Sequence, residues 1–282
     1  MLAELEAHLA TAADDDPAWD VYGDHLIERG EPRGQLVQLE RELAAHRDPA
    51  IEAQLAELVA AHQSSWRGAI PEAAATRWRH GFVVELSLPF DGALAATART
   101  LLASPEARFV RSLRIVADRY ERGPHDIVRE LLETVDLRRL RAFACPYCQL
   151  GFDIAHWLIA AALPLLEELD LRHNTLENTG IAMLSHAPQL GRLRVLSLQR
   201  NQIRSGGAKA LAASPHLRQL ERLDLRWNRI GERGAYELAM SPNVARLSAL
   251  YLHHADVGSA GAEALARSPQ LPPGLRRVWR AR

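Results

Sequence analysis

The sequence predicts an α/β solenoid, with parallel strands on a concave face and helices on a convex one, preceded by a small all-α N-terminal domain. Three observations carry this. Asn174, Asn201 and Asn228 recur every 27 residues, with Ala255 in the next place. Gly180, Gly207, Gly234 and Gly261 keep the same interval, as do Leu184, Leu211, Leu238 and Leu265, then Pro188, Pro215, Pro242 and Pro269. Residues 1–79, in contrast, show helical spacing and no repeat. A period of this size, held in several columns, marks stacked supersecondary units, each too small to bury its own apolar face.

The N-terminal elements follow in order. Leu2, Leu5 and Leu9 share one face of a first helix. Asp16 followed by Pro17 signals a second helix start, a cap residue before a proline at the first helical position. That helix carries Trp19, Val21, Tyr22 and Leu26 and stops at Gly30. Leu36, Val37, Leu39 and Leu43 mark a third helix after Glu31-Pro32, and Ile51, Leu55, Leu58 and Val59 a fourth. Trp66, Pro71 and Trp78 lie in the join, where aromatic rings suit the capping of a solenoid end.

The array of residues 80–282 is written L-x-x-L-x-L-x-x-N-x-L/I, then Gly, Leu and Pro. Clean copies begin at Leu166, Leu193, Leu220 and Leu247. Earlier ones run through Val83-Leu86-Leu88, Val110-Leu113-Ile115 and Leu140-Phe143-Cys145. Leu275 to Val278 begins a truncated last strand after about seven repeats. The leucines alternate, so they belong to short strands turned inward. The asparagine suits hydrogen bonding to backbone groups that stacked turns would otherwise bury unpaired. Gly, Ala and Leu at helical spacing form the outer helix, which proline ends.

The run Leu169-Asp170-Leu171-Arg172-His173-Asn174-Thr175-Leu176, with Gly180 and Leu184, resembles the leucine-rich repeats of the ribonuclease-inhibitor type. The resemblance covers roughly residues 83–282 and implies a non-catalytic protein-binding surface on the concave face. Separately, the run Asp16-Pro17-Ala18-Trp19-Asp20-Val21-Tyr22-Gly23-Asp24-His25-Leu26 continues as Ile27-Glu28-Arg29-Gly30-Glu31-Pro32-Arg33-Gly34-Gln35-Leu36. Together they resemble a small bacterial repeat-companion domain of the pattern Y-A-D-W-L-E-E-R-G-D-P-R-G-E. The chain departs from that pattern at Gly23, His25, Ile27 and Gln35. This second resemblance implies organisation and no chemistry. A second functional reading rests on fold analogy: activating proteins of small GTPases are built from similar repeats.

Composition narrows the setting. Of 282 residues, 48% are hydrophobic and 24% charged, with a net charge of −1. Residues 1–80 carry a net −8 and the remainder +7, so the array favours partners with acidic patches. The longest apolar run, Trp157 to Leu166, is broken by Pro164 and falls short of the ~20 residues of a membrane span. The acidic, amphipathic start lacks the charged and apolar regions of a signal peptide. Two cysteines make no secreted disulfide framework. The expectation is a bacterial protein of a reducing cytoplasm.

Cys145-Pro146-Tyr147-Cys148 has the spacing of a zinc or redox pair. In phase with the repeats, however, Cys145 takes an inward leucine column and Cys148 the asparagine column, so both read as buried structural residues. The expected binding site lies between the leucines. It comprises Tyr147, Asp170, Arg172, His173, Gln199, Arg200, Asp224, Arg226, Trp227, Tyr251, His253 and His254. Tyr, Trp and Arg are enriched at binding hot spots. Asp170, His173, Asp224, His253 and His254 stand on different strands and come with no catalytic motif, so no metal, cofactor or catalytic role is expected. The basic stretch Leu275 to Arg282 holds one Trp, but a near-neutral chain without a nucleic-acid-binding motif argues against nucleic acid as a partner.

Overall fold

Four helices open the chain: α1 (Leu2–Thr11), α2 (Asp16–Glu28), α3 (Pro32–Ala45) and α4 (Pro49–Arg67). They are seen in a computed structural model that describes residues 1–12, 15–72, 74–117 and 126–280. The cap of α2 is Asp15, one residue earlier than the sequence signal suggests; its side chain accepts from the Ala18 amide at 3.2 Å. Asp48 caps α4 in the same way, accepting from Ala50 at 2.8 Å. Strands β1 (Ala75–Arg79) and β2 (Phe82–Pro89) form an antiparallel hairpin across the two-residue turn His80-Gly81. Both turn residues have positive φ, +51° and +73°, the backbone that matches the twist of paired strands.

The chain packs as two compact units, Met1–Leu88 with Thr97–Leu113, and Pro89–Ala96 with Arg114–Arg282. The core of the first gathers Trp19, Tyr22, Phe82 and Phe109 with Leu9, Leu26 and Val84. Its rings meet edge to face, Trp19 and Phe109 at 5.0 Å and Phe82 and Phe109 at 4.9 Å, the arrangement aromatic quadrupoles favour. Gly23 and Gly34 of the motif are there for proximity, whereas Gly30 serves its positive φ of +68°. A Cβ on Gly34 would sit 2.6 Å from the Gly23 carbonyl, so α2 and α3 could not approach as they do. Arg33 reaches under them, donating to the Gly81 carbonyl at 2.8 Å with its guanidinium 4.7 Å from the Phe82 ring.

Among the described residues, strands and α-helices alternate from β2 to α11. After α5 (Leu94–Leu102) come β3 (Ser112–Val116), α6 (Asp126–Thr134), β4 (Ala142–Ala144) and α7 (Asp153–Ala160). Then follow β5 (Glu168–Asp170), α8 (Glu177–Ser185), β6 (Val195–Ser197), α9 (Ser205–Ala213), β7 (Arg222–Asp224), α10 (Gly231–Met240), β8 (Ala249–Tyr251) and α11 (His254–Ala266). In the second unit β4 to β8 are parallel neighbours in chain order, with Phe143, Leu169, Leu196, Leu223 and Leu250 in one register line. This is the α/β leucine-rich solenoid the period predicts.

The polar columns hold it. Asn201 is fully buried; its carbonyl oxygen accepts from Asn174 N (3.1 Å) and Leu176 N (3.2 Å), and its amide donates to Leu171 O (2.9 Å) and Gln199 O (3.2 Å). Asn228 repeats the pattern toward Asn201, Ile203 and Leu198, and Asn174 toward Leu150 and Cys145. A second ladder runs along the helix ends and was not anticipated from the sequence. Ser214, Ser241 and Ser268, each before a proline, donate to Ser185 O, Ala212 O and Ala239 O of the preceding repeat. Close helix packing explains the glycine column, since a Cβ on Gly234 would lie 2.9 Å from Ala208 Cβ.

One expectation is corrected. Leu275 to Val278 is not a truncated strand but part of helix α12 (Pro273–Arg280). Pro273 sits at the helix start, where its fixed φ is favourable. A final strand would leave one backbone edge unpaired, whereas a helix satisfies its own. Trp279 is buried with its ring 4.6 Å from His254, and Arg276 and Arg280 donate to the Ser268 and Ala266 carbonyls. The helix caps the array.

Candidate functional site

The strand face of the second unit is built by alternation. Residues flanking the buried leucines point away from the helices, so Asp170 and Arg172, two apart, share that face, as do Asp224 and Arg226. Each pair closes on itself. Arg172 donates Nε to Asp170 Oδ1 at 2.8 Å and a terminal nitrogen to Oδ2 at 2.7 Å. Arg226 grips Asp224 the same way, at 3.0 and 2.5 Å. Such forked contacts are the strong, geometrically fixed form of the ion pair. Arg114 of β3, absent from the sequence reading, adds a further contact to Asp170 at 3.6 Å.

The residue before each asparagine, and Tyr147 before Cys148 in the same column, adopts the left-handed backbone: Tyr147 (φ +66°), His173 (+58°), Arg200 (+51°) and Trp227 (+56°). A side-chain-bearing residue there costs roughly 1–2 kcal/mol, and the asparagine ladder next to it supplies the constraint. The consequence is a row of side chains that stack from one repeat to the next. Tyr147 and His173 lie ring on ring at 4.1 Å. The Arg200 guanidinium stands 5.2 Å from the Trp227 ring, and Arg226 lies 5.5 Å from Trp227 and 5.0 Å from Tyr251. Trp227 also meets His253 at 4.9 Å.

The structure therefore sorts the expected residues into two groups. Trp227 (48% exposed), Tyr251 (45%) and Arg200 are presented to solvent, and Arg200 has no carboxylate partner among the described residues. Asp224 and Gln199 are buried; Gln199 donates to Asp224, so both brace Arg226. Asp170 braces Arg172, and His254 lies against Trp279 under α12. The signal for the braces was present in the sequence as Asp-Leu-Arg: the aspartate ending each strand accepts from the amide of the arginine two residues on, at 3.2 and 3.1 Å, and so sets the acid beside the base.

Cys145 and Cys148 are buried free thiols in the leucine and asparagine columns. Burial pushes the Cys148 thiol up to about 12 and Cys145 well above the ordinary range. Neither is poised as a nucleophile or thiolate ligand.

Comparison with known families agrees with this geometry. Residues 162–185, 193–212 and 216–239 match the family model described as Leucine Rich repeat, supporting a leucine-rich repeat protein. No curated protein matches the chain significantly. Among the described residues, no helix is long and apolar enough to cross a membrane.

Proposed function

We propose that the chain is a non-catalytic recognition scaffold that binds a protein partner through the strand face of its repeats, centred on Arg200, Trp227 and Tyr251. The observation that carries this reading is Trp227. A half-exposed indole forgoes part of the ~1.5–3 kcal/mol that full burial of a large apolar side chain gives. Here it is also held in a strained backbone between two arginines. A rigid aromatic anchor loses little entropy on binding, which is what a hot spot needs. Two of the face's arginines are neutralised internally, so the partner's acidic patch is matched chiefly by Arg200, with apolar surface over the rings.

In this reading residues 1–79 are a companion module and residues 80–282 a ribonuclease-inhibitor-like array. The buried unpaired thiols suit a reducing cytoplasm. The test is to immobilise the full chain and an Arg200→Ala/Trp227→Ala/Tyr251→Ala form and identify by mass spectrometry what each retains from native lysate. A protein held by the first and lost from the second is expected. Equal retention would move the interface off the strand face.

A further inference from the structure

The first unit contains two small cavities that share a wall. One, of about 170 Å³, is lined by Leu36, Val59, Trp66 and Trp78. The other, of about 160 Å³, is lined by Asp16, Trp19, Asp20 and Val37. Glu40 and His80 border both. Each cavity is well below the ~300–1,000 Å³ of a drug-sized site, so each admits one side chain.

Hydrogen bonds and ion pairs hold the side chains of the shared wall. Arg79 Nε donates to His80 Nε2 at 3.2 Å, and His80 Nδ1 hydrogen-bonds the Glu40 carboxylate. Arg79 is paired with Asp16, and Arg41 with Asp20 at 3.5 Å. Glu40 has no arginine or lysine ion-pair partner among the described residues, yet its side chain is only 35% exposed. The His80 ring is itself held, 4.8 Å from Trp19 and at the hairpin turn. A partly buried carboxylate beside two indoles, in a segment with a net charge of −8, selects a cation on a flat or apolar stem.

We propose that these cavities receive an arginine side chain of an extended partner polypeptide. Its guanidinium meets Glu40 and its stem lies against Trp66 and Trp78, while a neighbouring side chain of the same segment fills the second cavity. Two side-chain-sized cavities that share Glu40 and His80 favour a polypeptide over a free cation. The full chain would be titrated by calorimetry with three probes: capped Gly-Arg-Gly-Arg-Gly-Gly, its glutamate counterpart, and arginine amide. The arginine peptide should bind saturably, at least tenfold more tightly than arginine amide, and the glutamate peptide not at all. Glu40→Gln, whose amide oxygen still accepts from His80, should weaken the peptide at least tenfold with an unchanged unfolding temperature. Val59→Trp, which fills the larger cavity, should do the same. Unchanged affinity in Glu40→Gln, or no binding by wild type, overturns the proposal. Equal affinity for arginine amide overturns the assignment to a polypeptide.

Discussion

Asn201 illustrates how one buried side chain serves two turns of the array. Replacing it with Ala leaves the Asn174 and Leu176 amides and the Leu171 carbonyl without their side-chain partner, in a place water does not reach. Each orphaned group costs about 1–3 kcal/mol, so Asn201→Ala should lose about 3 kcal/mol or more in urea unfolding. Cys148 makes a pH prediction. Its folded pKa is raised from 9.0 to about 12, so the folded state keeps a proton that the unfolded chain releases. Its contribution is constant below pH 9 and is lost as pH rises toward 12. A melting-temperature profile should fall less steeply over that interval in Cys148→Ala, and neither native thiol should react with a thiol reagent at neutral pH.

At the scale of elements, packing overrides intrinsic preference. Gly→Ala in a helix ordinarily gains up to ~1 kcal/mol from propensity. At Gly234 of α10 the added methyl would lie 2.9 Å from both Ala208 Cβ and Ile230 Cγ2. Overpacking of that kind costs ~1–3 kcal/mol, so Gly234→Ala should be destabilising by about 1 kcal/mol, measured by thermal unfolding. Gly191, with nothing near its added Cβ, should tolerate alanine. The capping helix α12 makes its own prediction: Trp279→Ala should remove ~3 kcal/mol or more and speed amide exchange in α11 and α12 first.

The same elements show what could be read in advance. Strands β5 to β8 were legible because alternating leucines recur in phase, with a fixed asparagine after β5, β6 and β7. Helix α12 was not, because Leu275 and Val278, three apart, fit both L-x-x-L and one helix face. Trp279, four beyond Leu275, shows that the helical spacing holds. Strand β1 was hidden because its turn is His80-Gly81 and lacks the Asn-Gly signature of such hairpins. The candidate residues were legible as columns, but their division into presented and bracing groups was not. That division depends on side-chain pairing such as Gln199 with Asp224 across neighbouring strands.

For the whole molecule, the two ladders turn the period into a rigid support, and the strained column beside the asparagines turns that support into a displayed row of rings and guanidinium groups. Binding should therefore depend on the presented residues and little on helix-face substitutions such as Tyr236→Ala, whose ring is 55% exposed on α10. The decisive measurement is the Kd of a purified protein partner for the native chain and for the Arg200→Ala/Trp227→Ala/Tyr251→Ala variant. Arg226 is left in place because it braces the buried Asp224. Loss of a hot spot worth ~2 kcal/mol or more raises Kd about 30-fold, and at least that rise is expected with the fold intact by circular dichroism. An unchanged Kd in a folded variant would contradict recognition through the strand face.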